Sequence, residues 1–280
     1  MTTGPIVLLS DFGLQDAYGG LMKGVIAGIA PQCRVIDLTH GIPRGDVHRG
    51  AFHLWHATSF FPENSIFVAI VDPGVGTTRR ALGVAWPEFT CIAPDNGLLT
   101  YLLTRSEPSK TIELDNPAYQ LEERSGTFHG RDVFAPVAAH LANGTPLQEM
   151  GSPIGKLSRI PIPALRLDVD GDLRGQILFA DHFGNLITSM GLWHTQGKQL
   201  VLKPWLPGCR SVGYDRLKVR IQLPNGISLP LSHTFGDVDP GEPVAYLGSS
   251  GLLEIGVNQG SAAEMLGLSE RQEILLISKG

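Results

Sequence analysis

Short apolar runs that stop on an acid recur through the first half of the chain, with amphipathic stretches between them. Pro5–Ser10 (PIVLLS), Cys33–His40 and Ile66–Val71 are rich in Val, Ile and Leu and read as strands. Between the first two, Tyr18, Leu21, Met22, Val25, Ile26 and Ile29 recur at helical spacing over Ala17–Ala30, and Pro31 closes the helix. Asp46–Phe60 is a second helix, with Val47, Ala51, Leu54, Trp55 and Thr58 along one side. Strand, helix, strand at these lengths predicts βαβ units and therefore a mainly parallel sheet. Further on, Leu82–Ala85 and Thr90–Ala93 read as short strands, Leu98–Leu103 and Val133–Leu141 as helices.

The pattern changes between Ser152 and Asp172, where Pro153, Pro161 and Pro163 fall in a stretch without helical periodicity. We place a domain boundary there: residues 1–163 as an N-terminal α/β domain, residues 164–280 as a smaller C-terminal β-barrel domain. The latter reads as strands at Gln176–Ala180, Leu200–Lys203, Leu217–Leu223, Ile227–Leu231, Val244–Leu247 and Glu273–Ile277. Asn225-Gly226 predicts a hairpin with a type I′ turn.

Composition narrows the class. With 280 residues, 42% of them hydrophobic, the chain is long enough for two domains or one large one and can bury a real core. A net charge of -5 gives no basic footprint, which argues against nucleic acid as a partner. Cys33, Cys91 and Cys209 are scattered, so neither a disulfide scaffold nor a cysteine zinc site is expected. The N-terminus lacks a basic, signal-like start and no window is apolar enough to span a membrane, so the expectation is a soluble, cytoplasmic protein.

Candidate chemistry collects where strands end. Asp11, Asp37, Asp72 and Asp95 stand at or near the predicted C-terminal ends of strands, the edge that carries the ligand crevice of an open α/β sheet. A single such Asp is ordinary turn chemistry; several on one rim favour a polyhydroxylated or cationic ligand. After Asp72, Pro73, Gly74 and Gly76 turn the chain so that Arg79 or Arg80 can fold back onto the acid. In TFHGRD, His129 sits between an aromatic and a glycine in a polar loop, while Asp132 either caps the next helix or joins the site. Asp181-His182-Phe183-Gly184-Asn185 combines an aromatic face with a side-chain amide, the pair an adenine pocket needs. No P-loop, GxGxxG, GxSxG or HExxH motif is present. An acid, an arginine and a histidine without a Ser or Cys nucleophile suggest that the nucleophile is water.

SDFG at 10–13, VDPGVGTTRR at 71–80, APDNGLLT at 93–100, TFHGRDVFAP at 127–136, DHFGNLITS at 181–189 and SSGLLEIGVNQGSA at 249–262 together resemble the S-adenosyl-L-methionine (SAM) hydroxide adenosyltransferases, the SAM hydrolase family related to the fluorinase and chlorinase. The resemblance implies attack of water or hydroxide on C5′ of SAM, giving adenosine and L-methionine. It also implies an α/β domain followed by a β-barrel domain, in a homotrimer with active sites at subunit interfaces. It places a water-holding triad on Asp72, Arg79 and His129, with Arg80 as the second choice for the arginine. Asp11 matches the carboxylate on the ribose hydroxyls and Asp16 the residue on the methionine amino group. Asp181 and Ser249 match positions near the methionyl part, Phe183 and Asn185 the motif meeting the adenine and amino-acid portions, Asn258 and Gln259 a segment contacting adenine, and Phe128 a wall near the reacting carbon. No cofactor and no metal are implied, SAM being the substrate. Asp72 stands where the fluorinase has a tyrosine, and His129-Gly130 where halogenases place a Tyr–Ser pair, so halogenation is the weaker branch. A metal-dependent hydrolase and a non-catalytic SAM or adenosine sensor are the remaining rivals.

Overall fold

The longest fully apolar runs become the centre of a seven-stranded sheet because they are covered on both faces. In the computed structural model, which describes residues 4–278, the sheet contains β1 (Ile6–Ser10), β2 (Val35–Thr39), β3 (Ser65–Ile70), β4 (Ala81–Ala85), β5 (Phe89–Pro94), β6 (Lys110–Glu113) and β7 (Ser152–Pro153). Every residue of β1 and β3 is buried. Ile6, Leu8, Ile66, Val68 and Ile70 share a core with Met22 and Ile26 of α1 (Tyr18–Ile29), and that core also takes in Val137. On the opposite face α2 (Val47–Ala57) comes so close at Gly50 that a Cβ there would lie 2.9 Å from the side chains of Val71 and Leu98. Asp46 caps α2, its side chain accepting from the Arg49 N–H at 2.9 Å. The helices α3 (Thr100–Arg105) and α4 (Ala135–Ala142) complete this unit.

The strand order is β2-β1-β3-β5-β4-β6-β7. The pairs from β2 to β5 are parallel, and those from β5 to β7 antiparallel. The sheet is thus mixed, where the sequence predicts a mainly parallel one. The reason is local: only Trp86–Glu88 separates β4 from β5, far too little chain for the crossover a parallel pair requires.

A second compact unit begins at Ile162. It holds β8 (Leu165–Leu167), β9 (Leu173–Ala180), β10 (Leu186–Gly191), β11 (Trp193–Gln196), β12 (Gln199–Leu202), β13 (Val212–Asp215), β14 (Val219–Gln222), β15 (Ser228–Pro230), β16 (Pro243–Leu247), β17 (Leu252–Val257), the short helix α5 (Ala262–Leu266) and β18 (Glu273–Ser278). An antiparallel sheet runs β15-β14-β18-β9-β10-β17-β16, and a bridge between Leu231 and Ala245 brings its two ends together, so the barrel is nearly closed. Strict burial alternation along β9 marks its inner and outer faces. The hairpin at Asn225-Gly226 forms, but not on a type I′ turn. The Gly226 N–H donates to the Leu223 carbonyl at 3.0 Å, and only Gly226, with φ of 88°, has a left-handed backbone there. Pro224 presets the first turn position, giving a type I turn followed by a left-handed glycine. Among the described residues no helix is long and apolar enough to cross a membrane.

Candidate active site

β1 and β3 are adjacent and parallel, with Ser10 opposite Ile70, so Asp11 and Asp72 leave the same edge of the sheet. Asp72 opens a turn in which the Val75 N–H donates to the Asp72 carbonyl at 3.3 Å and Thr77 N–H to the Gly74 carbonyl at 3.2 Å. Gly76 is required here. Its φ is 77°, and a Cβ would sit 2.4 Å from the Gly126 carbonyl oxygen. That close approach draws the 125–129 loop against the turn and sets His129 beside Arg79.

The Arg79 guanidinium bridges the other two groups. Its Nε donates to both Asp72 oxygens, at 3.1 and 2.9 Å, and its Nη2 donates to Asp72 Oδ2 at 2.5 Å. The same Nη2 lies 2.9 Å from His129 Nδ1. A guanidinium can only donate, so Nδ1 carries a lone pair and the proton of the neutral ring resides on Nε2. The Arg79 and Asp72 side chains are only 9% and 5% exposed, and Arg79 also lies over the Phe134 ring at 5.4 Å. Burial, and then the Arg79 charge, lower the His129 pKa from its ordinary value; Asp72 and Asp132 oppose the shift. The buried Asp72–Arg79 pair and the half-buried His129 form one preorganised group in which an acid is held beside a neutral imidazole.

Arg80, the second choice from sequence, points elsewhere. Its Nε donates to Asp95 Oδ2 at 2.9 Å and its Nη2 to the Lys156 carbonyl at 2.7 Å, so it ties down the 156–158 segment. Ser158 N–H donates to the other Asp95 oxygen at 2.8 Å. Asp95 is therefore neutralised by Arg80. Asp37 is not on the rim at all: it lies in the middle of the edge strand β2, bonded to Lys23 at 2.6 Å. Asp132 does not cap a helix either. A π-helical turn, Gly130–Phe134, precedes α4, and buried Asp132 accepts from Ser125 N–H at 2.7 Å and Arg131 Nε at 2.5 Å, closing the loop that carries His129.

Asp11 accepts from Gly45 N–H at 2.8 Å through one oxygen, and Asp16 is exposed. Beside them Phe12, Tyr18 and Phe128 make an aromatic cluster with ring centroids 5.1 to 5.9 Å apart. Leu14 next to it is 84% exposed.

In the second unit, Asp181 organises its own loop. Oδ1 accepts from the N–H groups of Phe183 at 2.9 Å and Asn185 at 2.8 Å, and Oδ2 from Asn185 Nδ2 at 2.9 Å. The amide N–H that the adenine reading wanted is thus partly engaged by Asp181, while the Phe183 ring is 75% exposed. Ser249 is exposed, Asn258 Nδ2 donates to the Val238 carbonyl at 2.8 Å, and Gln259 is exposed with φ of 57°. The sequence reading missed Glu254, which is buried in β17 and accepts from the Tyr246 hydroxyl at 2.8 Å. Burial chiefly raises its pKa, and Asp181 adds to the rise. A lone acid inside the apolar run LLEIGV was the available signal. Among the described residues no group of three or more His, Cys, Asp or Glu side chains is placed to hold a metal ion.

The SAM hydroxide adenosyltransferase N-terminal domain model matches residues 6–151 and the C-terminal domain model residues 175–275. An (R)-S-adenosyl-L-methionine hydrolase of Thermus thermophilus is 40% identical, covering 98% of this chain and 99% of the relative. One of the same name from Salinispora tropica is 39% identical over 94% of each. A fluorinase of Actinopolyspora mzabensis is more distant, 29% identical over 96% of this chain and 95% of its own. The crystal structure of an uncharacterized conserved protein from Thermotoga maritima superposes with a TM-score of 0.82 at 31% identity, covering 97% of this chain and 99% of that one.

Proposed function

Since the chain belongs to the SAM hydroxide adenosyltransferase family, we propose that it is a hydrolase in which water attacks C5′ of SAM and releases adenosine and L-methionine. The observation that carries this reading is the Arg79 guanidinium holding the Asp72 carboxylate and His129 Nδ1 at once. The water oxygen forms a bond to C5′ as the C5′–S bond breaks, its electron pair going to sulfur. Methionine then leaves as a neutral thioether, so the leaving group needs no acid. The site's task is to hold a poorly solvated water in line with the C5′–S bond.

Because Nδ1 is occupied by Arg79, His129 works in this reading as an Nε2–H donor that orients the water. Asp72 receives the proton. A protonated alcohol is far more acidic than a carboxylic acid, so a carboxylate is basic enough once the C–O bond is forming. A carboxylate oxygen in that position can accept a proton from water but offers no donor to a halide, which supports hydrolysis over halogenation.

For the rest of the substrate, Asp11 takes the ribose hydroxyls, Asp16 the amino group, and Phe128 with its aromatic neighbours the wall beside the reacting carbon. Asp181, Phe183, Asn185, Ser249, Asn258 and Gln259 serve the methionyl and adenine portions, with Asp181 and Asn258 acting through the loops they brace. Exposed Leu14 and Tyr18 in one unit, and Phe183 and Met265 in the other, are apolar surface of the kind a homotrimer with interfacial sites would cover. No cofactor takes part in this reading. The relatives' names specify the (R)-sulfonium epimer, and we infer the same preference here.

The test is incubation with each SAM epimer separately in oxygen-18-labelled water, with and without EDTA. Label in the adenosine 5′-hydroxyl together with methionine release, unaffected by EDTA, is expected from the (R) epimer. SAM bound with no adenosine formed would overturn catalysis and favour a sensor.

A further inference from the structure

We propose that His40 is a positioning residue for Asp11, acting through Ser10; this rests on the reading that Asp11 binds the ribose. His40 is 6% and Ser10 1% exposed, yet both are polar and both are bonded. Ser10 Oγ lies 2.6 Å from His40 Nδ1 and accepts from Phe12 N–H at 3.3 Å. The other ring nitrogen, Nε2, lies 3.2 Å from Asp37 Oδ1, and Lys23 holds Asp37 Oδ2 at 2.6 Å. A chain of polar groups therefore runs from the surface pair Lys23–Asp37 through His40 to the residue that precedes Asp11.

Backbone bonds add to it. Gly13 N–H donates to the His40 carbonyl at 2.8 Å, Ile42 N–H to the Ser10 carbonyl at 3.4 Å, and Gly45 N–H to Asp11 Oδ2 at 2.8 Å. The 40–45 segment thus grips the 10–13 segment at several points, with His40 contributing both its ring and its carbonyl. Room for the ring is made by Gly19 of α1, where a Cβ would stand 3.1 Å from His40 Nε2. An apolar residue at position 40 would fill the same space. It would leave the Ser10 hydroxyl without its acceptor and remove the side-chain link that fixes the start of the Asp11 loop.

The two ring nitrogens can be separated by mutation. In His40→Asn the side-chain oxygen stands near the Nδ1 position and can keep the Ser10 bond; in His40→Gln the amide reaches toward Asp37 and the Ser10 bond is lost. We expect His40→Gln and His40→Ala to raise KM for SAM by about tenfold with kcat within about threefold, and His40→Asn to recover most of the loss. Thermal midpoints measured alongside separate this from a core defect, which would lower both amide variants equally and leave KM alone. The link to Asp11 is read from a double-mutant cycle: in an Asp11→Asn background, His40→Gln should raise KM by less than about twofold. Equal KM values for His40→Gln and His40→Asn, or a full His40→Gln effect in the Asp11→Asn background, would overturn the proposal. Asp11→Asn alone with an unchanged KM would instead overturn the ribose reading, and the positioning role with it.

Discussion

Replacing Arg79 by lysine preserves a positive charge and removes the fork, so it isolates what the guanidinium geometry contributes. In the native site Nε and Nη2 donate to Asp72 at 2.5 to 3.1 Å while Nη2 also reaches His129 at 2.9 Å. A lysine ammonium, a single point charge on a shorter side chain, can meet Asp72, but it cannot hold the carboxylate edge and the imidazole together. The loss is then the His129 contact plus at least one of the three contacts to Asp72. At about 1.5 to 3 kcal/mol for each hydrogen bond to a charged group, at least ~3 kcal/mol of positioning is removed. If that positioning is realised in the transition state, turnover falls by roughly 10²-fold or more. Stability responds differently. Arg79→Lys still compensates the buried Asp72 charge, whereas Arg79→Met leaves it unpaired at a cost of about 3 to 5 kcal/mol. Single-turnover adenosine release and urea unfolding read the two effects. The ring nitrogens of His129, followed by NMR, supply a third readout: Nε2 carries the proton in the native protein, and Arg79→Met raises the His129 pKa because a neighbouring cation that lowers it is gone. Turnover of Arg79→Lys within about threefold of native, or a wild-type ring protonated on Nδ1 when neutral, would refute the bridge as the source of catalysis.

Two further expectations follow from neighbouring residues. Arg80→Met should loosen the 156–158 segment, which Arg80 and Asp95 hold through Lys156 and Ser158, while single-turnover chemistry stays within a few-fold of native; faster proteolysis in that segment with unchanged chemistry is the expected pair of results, and a hundredfold loss of turnover would return Arg80 to the site. His53 on α2 has its pKa lowered from 6.5 to about 4, by burial first and then by the Arg49 and His56 charges. The unfolded chain takes up that proton first as pH falls, so His53 leaves stability intact above about pH 6.5 and removes up to about 3 kcal/mol as pH drops toward 4. Unfolding free energies measured across this window should fall less steeply in His53→Gln; identical slopes would remove His53 from the acid limb.

Which parts of this site could be read from sequence depends on how local their causes are. Asp11 and Asp72 were legible because a strand buried on both faces is a continuous apolar run, and the first acid after it marks the rim. Asp37 broke the same rule, since an edge strand tolerates an exposed acid in its middle and its β-branched neighbours look alike from sequence. The mainly parallel sheet expected from the βαβ units turned out mixed because the three residues between β4 and β5 cannot make a parallel crossover. Arg79 and Arg80 are chemically identical neighbours, and spacing alone could not separate them; what does so is Asp95, fifteen residues on, together with a carbonyl at Lys156. The role of His129 lay further out of reach. Its residue type suggests a base, but a donor fifty positions away in sequence occupies Nδ1 and turns the ring into a donor. The charge balance of the site then has a simple form. Asp72 and Arg79 cancel and His129 is neutral, with Arg124 near enough to help lower its pKa; in our reading Asp11 and Asp16 then supply the negative charge that suits a ligand bringing a sulfonium and an ammonium.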